Sequence, residues 1–285
     1  MQCQKNISLK KYTTFKIGGK AECFYKARTK HGLIKAIKWA KKESLPFFIL
    51  AGGSNLLIPD KGFKGLVIKT ENCKLKIKNY KIEVGAGALL GKLVNASANV
   101  NLSGLEWAAG IPGTVGGAVQ GNAGAFSKTM KDIIREVEVF DIKRNIERKF
   151  KNKDCFFGYR TSIFKKNPHL IILACLIGLK KGDKQNIKEE MQEYLKYRDE
   201  HHPKKPSAGS IFMNPKGASA RELIDVCGLK GKRIGQAQIS KVHSNFIVNL
   251  NGAKSKDVVK LIDLIKRIIY KKYKIKLKEE IQILK

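Results

Sequence analysis

The chain has 285 residues, 43% of them hydrophobic, and a formal net charge of +33. That length accommodates two or three domains with sizeable cores, and the apolar fraction is ordinary for a globular protein. The longest apolar run, 170–179, falls well short of the ~20 residues a membrane span requires, and the first residues lead into no apolar stretch, so neither membrane insertion nor a signal peptide is expected.

In chain order, a helix is expected over 29–44, with Thr29 as N-cap and Leu33, Ile34, Ile37 and Ala40 on one face. Residues 46–51 read as a buried strand entering a glycine turn. Short strands follow at 65–69, 74–78 and 80–84, then a helix over 89–100. Beyond a glycine-rich centre come strands at 136–142, 146–150 and 170–179. A turn at Lys181-Gly182-Asp183 leads to a charged helix over 187–202, ended by Pro203. Ser219-Ala220-Arg221-Glu222 is a capping-box pattern opening a helix through Val226, and Gly228 is placed to terminate it. Residues 257–270 are strongly amphipathic, and 275–284 alternate as a strand would. The pattern is α+β, with a smaller α/β domain beginning near residue 180.

The six cysteines, Cys3, Cys23, Cys73, Cys155, Cys175 and Cys227, form no C-x-x-C pair and join no histidine at zinc spacing. Reduced thiols, a cytoplasmic protein and no metal are expected. The high charge raises the question of a polyanionic partner. The lysines, however, run along the whole chain without a basic arm or a nucleic-acid-binding signature, so no specific nucleic acid is expected. Such a charge still draws anionic small molecules towards a cleft.

Three glycine turns carry the first chemical signal: Ala51-Gly52-Gly53-Ser54-Asn55, Gly85-Ala86-Gly87, and Gly110-Ile111-Pro112-Gly113-Thr114-Val115-Gly116-Gly117-Ala118. None fits G-x-G-x-x-G after a strand or G-x-x-x-x-G-K-[ST], which excludes a Rossmann fingerprint and a P-loop. Each reads either as a structural turn or as a nest of backbone N–H groups for an anion. Together they suggest one large, phosphate-bearing cofactor wrapped by loops. Arg160, in Tyr159-Arg160-Thr161-Ser162, is either a packed surface cation or a guanidinium fork for a carboxylate or enolate oxygen. Ser210, in Pro206-Ser207-Ala208-Gly209-Ser210-Ile211-Phe212-Met213-Asn214-Pro215, is either a turn serine or a hydroxyl facing a cleft; no G-x-S-x-G elbow supports a hydrolase. Glu280 in the alternating tail is by default a solvated carboxylate.

These segments, in this order, resemble the UDP-N-acetylenolpyruvoylglucosamine reductases. The likeness runs through Tyr12-Thr13-Thr14-Phe15-Lys16-Ile17-Gly18-Gly19, the first and third glycine segments, Asn122-Ala123-Gly124-Ala125 and Tyr159 to Lys165. It continues at Pro206 to Pro215, Gly228 to Gly235 and His243-Ser244-Asn245-Phe246-Ile247-Val248-Asn249. It covers nearly the whole chain. The resemblance implies an FAD-binding fold of the vanillyl-alcohol oxidase and p-cresol methylhydroxylase type over 1–180, in two subdomains of about 1–62 and 63–180. A substrate-binding domain over 181–285 would follow. It implies non-covalent FAD, NADPH as hydride source, and the anionic enolpyruvyl ether of UDP-N-acetylglucosamine as acceptor. The product it implies is UDP-N-acetylmuramate for peptidoglycan.

By the same resemblance Arg160 and Glu280 stabilise the enolic intermediate, and Ser210 protonates the α-carbon. FAD contacts fall to Gly52, Gly53, Ser54, Asn55, Leu56, Gly110, Pro112, Gly113, Thr114, Gly116, Gly117, Asn122, Gly124, Arg160 and Arg233, with Asn214 on the substrate. Met213 stands where the family often has lysine. Lys278-Glu279 replaces the usual Glu-Pro, which makes Glu279 the alternative to Glu280. The short span from Arg160 to Ser210 matches the branch that lacks a tyrosine-bearing closing loop. A flavin oxidase of the same superfamily would keep the glycine turns without the Ser210 and Glu280 segments. A polyanion-binding protein would leave the turns unexplained. The oligomeric state is open, with a monomer favoured.

Overall fold

A computed structural model describes residues 2–284. The chain forms two compact units. The first is built mainly from Tyr25–Gly52 and Leu66–Arg198, the second from Gln4–Phe24, Gly53–Gly65 and Asp199–Lys285. The division expected near residue 180 therefore falls inside the first unit, before the helix Lys184–His201. The N-terminal segments Gln4–Phe24 and Gly53–Gly65 belong with the C-terminal part. Periodicity along a chain reports local faces, not which distant segment covers them.

In the first unit, strand Phe47–Leu50 runs parallel to Phe63–Thr70, pairing Phe47 with Leu66 and Leu50 with Lys69. The helix Lys30–Lys42 precedes it, and the Thr29 hydroxyl accepts the Gly32 amide at 2.9 Å as an N-cap should. A five-stranded antiparallel sheet follows, ordered Ile146–Lys151, Ile134–Asp141, Leu170–Gly178, Lys81–Gly85, Leu75–Lys78. The apolar run 170–179 lies at its centre, which is why it is apolar on both faces. Leu93, Trp107, Val115, Met130, Val137, Val139, Phe164 and Ile177 fill one core against it. The glycine-rich centre contains a short helix, Val115–Gln120, which sequence reasoning did not expect. Thr114 caps it, with its hydroxyl 3.5 Å from the Gly117 amide.

The second unit holds a four-stranded antiparallel sheet ordered Ser207–Ser210, Phe246–Asn249, Ala237–Ile239, Arg233–Ile234. The helix Ser255–Tyr273 lays Val258, Leu261, Ile262, Ile265 and Ile269 into its core, the stripe its spacing predicted. Phe15, Ile17 and Leu57 enter the same core. Ser219 caps Ala220–Val226 by accepting the Glu222 amide at 3.3 Å, as its sequence foretold. The tail departs from expectation. Only Gln282–Ile283 forms a strand, parallel to Leu56–Leu57, and 274–281 is irregular apart from a bridge between Phe212 and Glu279. Glu279 and Glu280 are both partly exposed, so alternation fails where the two carboxylates meet.

Candidate active site

In the first unit the turn at Ala51-Gly52 packs directly on the third glycine segment. A Cβ on Gly52 would lie 2.5 Å from Gly113 Cα, so no larger residue fits without moving backbone. The two segments differ in which amides they leave open. Val115 and Gly116 donate to Ala88 and Ala86, both at 2.9 Å, and Gly117 donates to the Thr114 hydroxyl. Among the described residues, the amides of Gly52, Gly113 and Thr114 meet no protein acceptor. Open donors are thus concentrated at the start of the segment rather than spread to Gly117. Gly110 has a separate reason to lack a side chain: a Cβ there would sit 2.9 Å from Arg198 Cδ. Arg198 donates to the carbonyls of Ala109 at 2.8 Å and Trp107 at 2.9 Å, fixing the segment just ahead of Pro112.

Arg160 sits on a tight loop with φ +53, left-handed backbone that a side chain adopts only when its surroundings hold it. The holding bonds are plain. Gly158 and Thr161 exchange amide-to-carbonyl bonds of 3.0 and 3.2 Å across the loop. Lys165 Nζ donates to the Arg160 carbonyl at 2.9 Å, and the buried Ser162 hydroxyl donates to Gln120 O at 2.7 Å. Arg160 Nη1 donates to Gly124 O at 3.0 Å. Buried Asn122, itself at φ +43, donates to Gly158 O at 3.0 Å and accepts the Lys131 amide at 2.9 Å. Asn122 and Gly124, expected on the cofactor, are seen supporting the arginine loop.

In the second unit the amides of Gly53, Ser54 and Asn55 also meet no protein acceptor among the described residues. Gly53 adopts φ +64, and a Cβ there would collide with the Tyr12 carbonyl. Thr14 ties this turn to the serine strand: its amide donates to Gly53 O at 3.2 Å and its hydroxyl to Ser207 O at 2.7 Å. Leu56 is buried and pairs with Gln282 in the tail.

Ser210 ends its strand opposite Phe246, after a bulge between Ser207 and Ser210. Bulges re-aim the next side chain. Gly209 in the bulge has φ +75 with open space beside it. The main chain brings Glu280 to the same place, because its amide donates to Ile211 O at 2.8 Å. Asn245 clamps the next residue: its carboxamide accepts the Phe212 amide at 3.0 Å and donates to the Phe212 carbonyl at 2.9 Å. Asn55 Nδ2 donates to the Glu280 carbonyl at 2.9 Å. Glu280 therefore pairs by register with Ile211, the residue after Ser210. Thr14 and Asn245 carry that frame. Sequence reasoning assigned them no role, although both stand in the segments that carry the resemblance.

The remaining expected residues are as follows. Glu279 pairs with Lys266 at 2.8 Å. Burial raises its pKa, but the Lys266 bond and charge outweigh this and hold it below the usual carboxylate value. Its carboxylate is thus engaged on the long helix. Asn214 accepts the Ala220 amide at 3.0 Å through Oδ1. Arg233 is exposed and turns back on its own hairpin, donating to Gly235 O at 2.6 Å and Gln236 Oε1 at 2.8 Å. Among the described residues no cluster of His, Cys, Asp or Glu could hold a metal, and no helix is long and apolar enough to cross a membrane.

A family model described as an FAD binding domain matches residues 21–145, and one described as the C-terminal domain of UDP-N-acetylenolpyruvoylglucosamine reductase matches 201–284. The fold and the glycine turns thus define an α+β flavoprotein with an FAD-binding domain. UDP-N-acetylenolpyruvoylglucosamine reductase of Caldanaerobacter subterraneus subsp. tengcongensis is 40% identical over 280 residues, 98% of this chain and 92% of that protein. That of Anoxybacillus flavithermus is 41% identical over 283 residues, covering 98% and 93%. The crystal structure of the Thermus caldophilus reductase superposes with a TM-score of 0.86 at 38% identity, over 100% of both chains. The chain belongs to the UDP-N-acetylenolpyruvoylglucosamine reductase family. The match of its C-terminal domain removes the reading as an oxidase that shares only the flavin fold.

Proposed function

We infer that this protein is a UDP-N-acetylmuramate dehydrogenase: it reduces the enolpyruvyl ether of UDP-N-acetylglucosamine to UDP-N-acetylmuramate with NADPH. The family assignment carries this reading. The residues present suit FAD. Glycine turns at Gly52–Asn55 and Gly113–Thr114 offer amides with no protein acceptor among the described residues, and a Cβ on Gly52 or Gly53 would strike neighbouring backbone. Those amides would hold the pyrophosphate. Bound FAD supplies the hydride relay between NADPH and the enol-ether β-carbon.

The chain's own part is charge and a proton. Hydride addition leaves electron density on the α-carbon and the adjoining carboxylate. We assign Arg160 and Glu280 to the developing enolate and Ser210 to protonation of the α-carbon. Serine is a weak acid, but an enolate carbon is basic enough to take its proton. The bulge and the open space at Gly209 favour an accessible Ser210, and the Glu280 amide bond to Ile211 favours joint action with it. The substrate's phosphates suit the chain's net charge of +33. We propose that the enzyme acts in the cytoplasm as a monomer on small anionic substrates, without a nucleic-acid partner, and that Asn214 touches the nucleotide sugar.

The test is a visible spectrum followed by two additions under anaerobic conditions. A yellow protein that bleaches with NADPH and recolours with the enolpyruvyl nucleotide supports the reading. Failure to recolour rejects this substrate, and a protein that cannot take up FAD rejects the flavoenzyme.

A further inference from the structure

In the first unit, Gly124–Ala125 and Lys128–Thr129 form a short hairpin, with Ala125 opposite Lys128 and Gly124 opposite Thr129. The two loop residues between them, Phe126 at φ +51 and Ser127 at φ +60, are both left-handed. Two positive φ angles are the mark of a type I′ turn, which glycine and asparagine adopt at least cost and a bulky aromatic adopts poorly. Turn chemistry therefore does not account for the phenylalanine. A strained residue of this kind persists because its surroundings hold it.

One face of the helix Lys184–His201 does the holding. Tyr194, Tyr197 and Arg198 are spaced three and four residues apart and so lie side by side. The Phe126 ring stacks on Tyr194, with centroids 4.4 Å apart, and meets Tyr197 edge-on at 5.2 Å. The guanidinium carbon of Arg198 lies 5.3 Å from the Phe126 centroid. This platform is itself fixed, because Arg198 donates to the carbonyls of Trp107 and Ala109.

The base of the same hairpin carries the Gly124 carbonyl, which accepts Arg160 Nη1 at 3.0 Å. Its two strands pack closely: a Cβ on Gly124 would lie 2.6 Å from Lys128 O and 2.7 Å from Thr129 Cγ2. With no slack between the strands, tip and base move together. We propose that Phe126 is a positioning residue for Arg160: docked on Tyr194, Tyr197 and Arg198, it sets where the Gly124 carbonyl holds the guanidinium. The proposal rests on the enolate-stabilising role assigned to Arg160 above.

The experiment is stopped-flow reoxidation of the NADPH-reduced enzyme by the enolpyruvyl nucleotide. Phe126→Gly suits the turn and removes the ring. It is expected to bind FAD and to be reduced by NADPH at the wild-type rate, while reoxidation slows by about 10–100-fold. Tyr194→Leu leaves the turn untouched and is expected to slow the same step; Phe126→Tyr keeps the ring and the rate. Wild-type reoxidation in Phe126→Gly would overturn the proposal. So would a loss in Phe126→Gly that Tyr194→Leu does not share, since the ring would then act without its platform. If Phe126→Gly does not fold, Tyr194→Leu decides alone, and a wild-type rate there rejects the clamp.

The route through Arg160 has its own test. Phe126→Gly combined with Arg160→Lys is expected to be no slower than Arg160→Lys alone, because residues acting as one unit are not additive. A double variant slowed by the product of the two single losses would show that Phe126 acts independently of Arg160 and would overturn the proposal. Wild-type reoxidation in Arg160→Lys is a different result: it removes the role of Arg160 itself.

Discussion

Arg160 and the Ser210–Glu280 pair are positioned by opposite means. Arg160 rides on a left-handed loop held by side chains: Asn122, Ser162 and Lys165 each hold a backbone carbonyl of the loop or its neighbour. Ser210 and Glu280 are set mainly by strand pairing, with the Glu280 amide on Ile211 O, and the Asn245 and Asn55 side chains brace that pairing at Phe212 and Glu280. A register moves only when a strand slips, whereas a side-chain-held loop is tunable and exposed to single substitutions. Arg160 is therefore the more fragile placement, and the serine–glutamate pair the more robust.

The comparison predicts an order of effects. The largest concerns the proton. Ser210→Ala is expected to bind FAD and to be reduced by NADPH at a normal rate, while reoxidation by the enolpyruvyl nucleotide slows by about 10²–10⁴-fold. Stopped-flow absorbance separates the two half-reactions, and normal turnover would remove Ser210 from the proton-donor role.

Next comes the choice between the two carboxylates. Glu280→Gln is expected to cost about 2.7–4 kcal/mol of transition-state stabilisation, as loss of one preorganised group at a developing charge does. Glu279→Gln breaks only a partly exposed pair with Lys266 and is expected to cost under about 1 kcal/mol of stability with kcat retained. The reverse ranking would assign the chemistry to Glu279.

The two scaffolds can then be compared directly. Asn122→Ala removes the bond to the Gly158 carbonyl and the one from the Lys131 amide and places alanine at φ +43, and a displaced Arg160 is expected to lower kcat by about 10–100-fold. Asn245→Ala leaves both polar groups of buried Phe212 unsatisfied, with an expected stability loss of about 2–4 kcal/mol in urea unfolding. If Asn122→Ala is catalytically silent, side-chain control of the arginine loop is disproved.

The smallest effect is a pH dependence of folding in the second unit. Burial first, then the charges of Arg221 and His202, lowers the His243 pKa from 6.5 to about 4. Its Nδ1 has no hydrogen-bond partner among the described residues. Between those values the unfolded chain binds the extra proton, so stability is full above pH 6.5 and falls as pH drops towards about 4. His243→Gln should flatten thermal stability across that window; an unchanged slope would place the titration elsewhere.

Local chemistry was legible in the sequence because it is written in adjacent residues. The Thr29 and Ser219 caps, the apolar stripe from Val258 to Ile269 and the buried run 170–179 follow from propensity and period. The family was legible too, because ordered glycine, arginine and serine segments survive as strings. Tertiary structure alone decided the rest. It joined Gln4–Phe24 and Gly53–Gly65 to the C-terminal unit. It broke the alternation of the tail at Glu279, and it engaged Asn122 and Gly124 with the arginine loop. It also stacked Phe126 on Tyr194 and gave Glu279 to Lys266. These depend on partners 13 to 234 positions distant, as with Lys266–Glu279 and Phe15–Asn249. A residue's type fixes what bonds it can make. Only the packed chain fixes which partner is within 3 Å, because a hydrogen bond is a short-range force that sequence distance does not measure.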